Sequence, residues 1–367
     1  MKATINSSII MVIVSLHTCL AADQYIISQQ RYLKILPLYQ SWAIGKGPTY
    51  SYSEFSVPIA VYIPLNRNMS INLLASQATA DGDGLEKLTG ISDTQVSIAY
   101  YLESYHLIFN CGINVPSGKK ELELDEFGTS ALLSLSYFNF QVPNFGQGMN
   151  ISPGVSWALP VNDKLVLGAA ASYQIKGKYK PIKAMPDDYE PGDELLLSGG
   201  IDLRLGIMTT FAADFIFTTY GKDKVGSQSV FLSGRKSGIN LKFQTFINYN
   251  ELLLLGQYRT KGKNSTVIGG TLQTEVEKTI PDQFELMGYY RLRVNPQIYL
   301  SLLGEWRSYL AAKSFDGLDI FGIGVAPEFS LARNVSVPIR LKYLFGDFAG
   351  GSNIAGWEAG GGLSIVF

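Results

Sequence analysis

The feature that most constrains this chain is a two-residue period that returns along its length. In the run from Leu195 to Leu205, one parity reads Leu195, Leu197, Gly199, Ile201, Leu203, Leu205; the other reads Leu196, Ser198, Gly200, Asp202, Arg204. The same alternation separates Ile239, Leu241 and Phe243 from Asn240, Lys242 and Gln244, and Val335, Val337, Ile339 and Leu341 from Ser336, Arg340 and Lys342. It recurs at Val96/Ile98/Tyr100, Leu107/Phe109/Cys111/Ile113, Leu286/Tyr290/Leu292 and Ile298/Leu300/Leu302. Successive side chains of a strand point to opposite faces, so each run is a strand with one apolar and one polar face. Beyond residue 22 the chain holds no stretch of about 18 uninterrupted apolar residues, which excludes a helical membrane protein. Two architectures remain. In a soluble sandwich the apolar parity faces a core; in a transmembrane barrel it faces lipid, and the polar parity faces the lumen.

Connection lengths separate these two, because transmembrane barrels alternate short periplasmic turns with long extracellular loops. Short turns fall at Asn66-Arg67-Asn68, Glu103-Ser104, Asn162-Asp163, Tyr249-Asn250, Asn295-Pro296 and Arg333-Asn334. Longer segments lie between them, near 80–92, 116–146, 177–192, 220–236, 262–281, 310–316 and 347–354, and the rhythm requires one further turn near Gly206. It predicts about 14–16 strands, starting near residues 30, 51, 69, 93, 105, 147, 164, 193, 207, 237, 251, 282, 297, 317, 334 and 355. The 37 glycines, 21 tyrosines and 19 phenylalanines are what such a chain of turns and strands uses.

Both ends agree. Lys2, the apolar run Ile9 to Leu16 and the small residues Cys19, Ala21 and Ala22 read as a signal peptide over residues 1–22, leaving 23–367 as the exported domain. The last strand ends on Phe367, with Ile365 and Leu363 on the same parity, the pattern that a barrel-assembly machinery reads by strand addition to its own edge. The expected fold is therefore all-β: a transmembrane antiparallel barrel in the outer membrane of a Gram-negative-type bacterium. Its expected partners are outer-membrane lipid and, through Phe367, the assembly machinery.

Gly90-Ile91-Ser92-Asp93 opens a strand, Val115-Pro116-Ser117-Gly118 closes the next, and Gly154 precedes a strand ending in Tyr173 and Gly177. This order, over roughly residues 90–206, resembles the outer-membrane barrel family associated with meta-pathway phenol degradation, grouped with transporters of long-chain fatty acids and aromatic hydrocarbons. The resemblance implies passive uptake of a small hydrophobic solute. The Asn-Pro-Ala plug segment of the fatty-acid transporters is absent near the mature N-terminus.

The candidate site lies in the longest loop, 116–146. Leu124, Phe127, Ala131, Leu135 and Phe138 recur near helical spacing, and Phe140, Val142 and Phe145 follow as an apolar lip. Such a segment either folds into the barrel mouth as a constriction or packs on its neighbours as a structural loop. The inward parity collects charges of both signs, among them Asp202, Asp214, Lys242, Glu285, Arg291, Arg293, Glu305, Arg307, Arg340, Lys342 and Glu358. If they pair across the lumen they fill it; if they do not, they make a polar path or a carboxylate-binding patch at Arg291, Arg293 and Arg307. The expected function is a channel for small hydrophobic molecules, and the alternative is a structural or surface-interaction barrel with a filled lumen.

Other chemistries find little support. Thirty Lys and Arg against 31 Asp and Glu leave no basic field for nucleic acid. His106 is the one histidine beyond residue 22, and Ser104 beside it on one turn does not reach nucleophile-to-base geometry, so no enzyme and no catalytic residue are expected. Asp81-Gly82-Asp83-Gly84 lacks the later ligands of a calcium loop, and Cys19 and Cys111 stand far apart. No cofactor or metal is expected.

Overall fold

The computed structural model describes residues 30–46, 49–313 and 315–367; the expected signal peptide at 1–22 lies outside them. The chain winds into sixteen antiparallel strands, three of them broken once. They are β1 (Tyr32–Ile35 and Leu38–Gly45), β2 (Thr49–Pro64), β3 (Met69–Gly82), β4 (Leu88–Ile91 and Thr94–Leu102), β5 (Leu107–Val115), β6 (Asn150–Asn162), β7 (Leu165–Lys176) and β8 (Glu194–Arg204). β9 (Thr209–Tyr220), β10 (Lys236–Ile247), β11 (Asn250–Lys261), β12 (Gln283–Asn295), β13 (Ile298–Tyr309), β14 (Leu318–Ala332), β15 (Val335–Phe348) and β16 (Asn353–Gly361 and Leu363–Val366) complete the wall. Each strand pairs with its sequence neighbours, and β1 pairs with β16 as well, Tyr32 opposite Val366 and Gln40 opposite Glu358, so the sheet closes without an edge. Closure satisfies every strand's backbone groups, the condition for a sheet in lipid. Both seam strands break at one level, where Pro37 offers no N–H and Gly361 donates to its carbonyl.

The short turns follow from their asparagines. Asn66 Oδ1 accepts from the Asn68 N–H at 2.8 Å, Asn162 Oδ1 from Lys164 and Leu165, and Asn295 Oδ1 from Gln297 at 2.8 Å. These side chains stand in for a backbone turn. Asn248, at φ 58°, turns β10 into β11, and His106, at φ 53°, ends the single turn Glu103–Tyr105 between β4 and β5. The weakest expected turn, near Gly206, is present: Leu205 and Gly206 both donate to Thr209 O.

Alternation sorts the side chains as the sequence implies. Leu197, Leu241, Leu302, Tyr343 and Trp357 are exposed on the outer face, while Gln40, Glu54, Arg307, Lys342 and Glu358 are buried on the inner one. Two features depart from expectation. Five short strands, Tyr189–Glu190, Lys222–Val225, Gln228–Leu232, Ser265–Ile268 and Thr271–Thr274, form a separate sheet within segments read as loops. Of the residues at near-helical spacing from Leu124 to Phe138, only those in α1, Glu126–Leu133, are in a helix, with Asp125 accepting from the Glu126 N–H.

Candidate functional site: the inward loop and the two walls of the lumen

The loop between β5 and β6 enters the barrel, and its entry is fixed by Asp93 in the break of β4. Asp93 Oδ1 accepts from Gly118 N at 3.0 Å and Oδ2 from Gln147 N at 2.7 Å, so one carboxylate staples both ends of the loop. A Cβ on Gly118 would strike the Phe145 carbonyl and the Asp93 amide, so only glycine allows this approach. Thr129 of α1 donates to Glu86 O at 2.5 Å, and Lys119 pairs with Glu126.

Past α1 the loop lies on the inner face of β12, β13, β1 and β2. Arg307 Nη1 donates to Tyr137 O at 3.0 Å, Tyr309 Oη to Ser136 O at 3.1 Å, and Gln283 Nε2 to Ser136 Oγ at 2.9 Å. Gln40 holds the next stretch from both sides, donating to Asn139 O at 3.1 Å and accepting from Gln141 N at 2.8 Å. Both oxygens of Glu54 accept the Val142 N–H, at 3.1 and 3.2 Å. Here wall side chains do for the loop backbone what a neighbouring strand would otherwise do, which its burial requires.

Behind this contact runs a ladder of charge. Lys342, Glu358, Gln40 and Glu54 are cross-strand neighbours on β15, β16, β1 and β2. Lys342 Nζ reaches Glu305 at 2.7 Å and Glu358 at 3.1 Å, Arg307 lies 2.6 Å from Glu305, and Arg340 lies 3.0 Å from Glu358. These pairs join the inward charges laterally, along the wall. Such pairing offsets the several kcal/mol that burying an ion costs.

The loop's aromatic residues divide between wall and water. Phe138, Phe140 and Phe145 are only 1%, 3% and 2% exposed. Phe138 packs on Trp42 and Tyr52 with ring centres 5.8 and 5.6 Å apart, and Tyr137 meets Tyr309, Phe315 and Phe348. Phe127 and Leu135, at 47% and 39%, stay exposed, because α1 buries Thr129 and Leu133 instead of the stripe through Phe127 and Ala131. Thr129 is buried against the connection between β3 and β4, where its hydroxyl donates to Glu86 O.

The three arginines read as a patch lie apart. Arg307 is enclosed by Glu305, Tyr137 and Trp42. Arg291 pairs with Glu328 at 2.8 Å and stacks on Tyr299, while Arg293 lies over Tyr249 beside a short turn. Gln40, Glu54 and Trp42, which hold the loop, were not singled out from sequence; the alternation through Val57, Ile59 and Val61, continued back, places Glu54 and Ser56 inward and was the available signal. Asp83, in the calcium-like run, accepts from Ser51 N and Oγ at 2.8 Å and acts as a turn residue.

The opposite wall is built differently. The inward positions in the middle of β6 to β9 include Ser156, Ala158, Val166, Gly168, Ala170, Ser198, Gly200, Asp202, Ala212 and Asp214, while longer inward side chains such as Lys176, Glu194, Arg204 and Tyr220 stand toward the strand ends. Asp214 lies so close over Gly200 that a Cβ there would strike its Oδ1. Among the described residues, no side-chain hydrogen bond, ion pair or ring contact ties the loop to these positions, and Asp202 and Asp214 have no ion-pair partner.

No family model matches the chain, and no curated protein matches it, so the likeness to the phenol-degradation family stands at barrel architecture alone. Among solved structures the chain is similar to Pseudomonas putida OprB at high pH, with TM-score 0.50 and 9% identity over 92% of this chain and 94% of that one. It also aligns with a triple mutant of Rhodopseudomonas blastica porin, with TM-score 0.39 and 12% identity over 92% of this chain and 100% of that one. The fold is thus a closed, porin-like barrel of sixteen antiparallel strands.

Proposed function

We propose that the protein is a passive outer-membrane channel for small solutes, whose bore runs between the inward loop and the wall of β6 to β9. One observation carries this reading. Among the described residues, the loop past α1 is bonded to the wall of β12, β13, β1 and β2, and the middle of the opposite wall presents glycine, alanine, serine and two carboxylates without an ion-pair partner. Small side chains leave width, and Ser156, Ser198, Asp202 and Asp214 offer hydrogen bonds to a hydrated solute. A second reading, uptake of small hydrophobic molecules, is favoured by the exposed Leu124, Phe127 and Leu135 on the loop. They would let an apolar solute shed water at the mouth, at about 25 cal/mol per Å² buried. Phe138, Phe140 and Phe145 support the loop from behind in both readings. Insertion through an assembly machinery that reads Phe367, exposed on the lipid-facing parity of β16, belongs to the same proposal.

Single-channel recording in planar bilayers tests the channel. The full barrel should conduct small ions, and a variant with residues 122–138 replaced by a short flexible linker should conduct more. Silence in both proteins would overturn the proposal in favour of a filled lumen. Flux of an apolar solute into proteoliposomes separates the two solute classes, since F127S/L135S should lower it only under the hydrophobic reading.

A further inference from the structure

The inner wall between the loop and the acidic pair carries a cluster that the loop does not use. Lys236, the first residue of β10, is the cross-strand partner of Lys261, the last of β11. Arg259, two residues back on the same inward parity, lies opposite Gly238, where no side chain fills the adjoining space. All three are half-buried, on the lumen side of the extracellular end. Lys261 Nζ lies 5.8 Å from the ring centre of Tyr220, the inward residue that closes β9. No carboxylate among the described residues comes within ion-pair distance of the three cations.

Neighbouring acids are already engaged or displaced. Glu194 is held by Lys176, Asp223 accepts from Tyr189 Oη and Gly192 N, and Glu275 accepts from Asn264 N and Thr279. Asp282 is taken by Lys278 and Thr260. Glu285 lies opposite Gln257, one inward step below Gln283, the partner of Arg259, and forms no ion pair with it. Elsewhere in this lumen Arg307, Lys342, Arg340 and Arg291 each have a carboxylate, and Lys242 stands alone rather than opposite another cation. Like charges placed directly opposite on adjacent strands repel, so Lys236 and Lys261 lower the stability of the empty wall. An anion between them relieves that repulsion. An arginine fork offers planar, two-point hydrogen bonding to a carboxylate or phosphate, and two ammonium groups add compact charge.

We propose that Lys236, Arg259 and Lys261, with the ring of Tyr220, form an anion-binding site at the outer mouth of the lumen, which takes the carboxylate or phosphate group of a small solute. The site stands at the margin of the loop, since Gln283, opposite Arg259, is the residue that holds Ser136. A solute held there is poised at the start of the uncovered wall.

Calorimetric titration of the folded full-length barrel in detergent with inorganic pyrophosphate tests the site without requiring conduction. The wild-type protein should bind, more weakly as salt is raised. R259Q should weaken binding about tenfold, as expected for loss of a charge-assisted contact, and K236Q/K261Q by at least as much. R291Q, which removes a cation already paired with Glu328, should leave the affinity unchanged. Heat-modifiable migration on a semi-native gel reports folding of each variant, and K236Q should unfold at the same temperature as the parent or higher, because a repulsion is removed. Absence of binding by the wild-type protein, or wild-type affinity in both R259Q and K236Q/K261Q, would overturn the proposal. So would a fall in unfolding temperature for R259Q, which would assign Arg259 to Glu285 as a structural partner. A barrel that binds pyrophosphate but stays silent in bilayers would end the channel reading and leave this site standing.

Discussion

The wall of β12 to β16, β1 and β2 and the wall of β6 to β9 share one hydrophobic alternation and differ in what fills the inward positions. The first carries Glu285, Glu305, Arg307, Arg340, Lys342, Glu358, Gln40 and Glu54, long side chains of which Arg307, Gln40 and Glu54 bond the loop. At mid-height the second carries Gly168, Ala170, Ser198 and Gly200, with longer inward side chains such as Lys176 and Glu194 only toward the strand ends. A barrel's strand count fixes its width, and side-chain volume fixes how much of that width stays free. The asymmetry teaches that this lumen is divided by side-chain length: long side chains hold the loop on one side, and the middle of the other wall carries short ones.

The sharpest way to break the comparison is to cut the contact between loop and charged wall. Arg307→Ala removes the donor to Tyr137 O and leaves Glu305 with Lys342 alone. Removing one partner of a buried pair costs about 3–5 kcal/mol, because an uncompensated charge stays behind. The expected outcome is a marked fall in the temperature of heat-modifiable unfolding, with larger and noisier single-channel current as the loop loosens. An Arg307→Ala barrel of wild-type stability and quiet conductance would show that the aromatic packing of Tyr137 and Phe138 holds the loop by itself.

How far this arrangement is legible in the sequence depends on the distance over which each feature is encoded. Alternation and turn chemistry are local, so strand starts near 69, 164, 193, 282, 297, 317 and 334 fall within a residue of Met69, Leu165, Glu194, Gln283, Ile298, Leu318 and Val335. The break in β4 is not local: Leu88–Ile91 joins the barrel only because β3 extends to Gly82 and offers Ala78 and Ala80 as partners. Pairing of the inward charges is less legible still. The sequence places Arg291, Arg293 and Arg307 on one parity, yet register decides that Lys342 meets Glu305 and Arg291 meets Glu328, each 37 residues away. The loop's helix was readable in position but not in facing, because Thr129, a polar residue, takes the inward side to bond Glu86 O.

A milder test loads the open wall without disturbing the latch. A Cβ on Gly168 would meet nothing closer than 3.9 Å, so Gly168→Leu should fold within about 0.5 kcal/mol of the parent while its side chain projects into the lumen. Single-channel conductance should fall. Gly200→Ala makes the contrast, since its methyl meets Asp214 and should cost about 1–3 kcal/mol through overpacking. If Gly168→Leu leaves the conductance unchanged, the bore does not run along this wall.

The smallest expected effect concerns the outer end of the loop, where α1 begins. Burial would raise the Glu126 carboxyl, but the hydrogen bond and charge of Lys119, with the Glu123 N–H at 3.0 Å, outweigh it and hold the group below the usual carboxylate range. A carboxyl whose folded pKa lies below its unfolded one contributes stability that is fully present above the unfolded value, about 4.3, and is lost as pH falls through the folded one. The contribution is a partly exposed pair at a helix N-terminus, so it should amount to less than about 1 kcal/mol. Amide exchange over residues 126–133, read against E126Q at each pH, should therefore be slower in the parent from neutral pH down to the carboxylate range and should converge with the variant below it. Exchange over 136–142 should keep its difference from free loops throughout that range, because Arg307, Tyr309 and Gln40 hold it without help from Glu126. Release of both segments together on protonation would mean that the loop is one unit anchored at its entry, and that the charged wall supports it without fixing it.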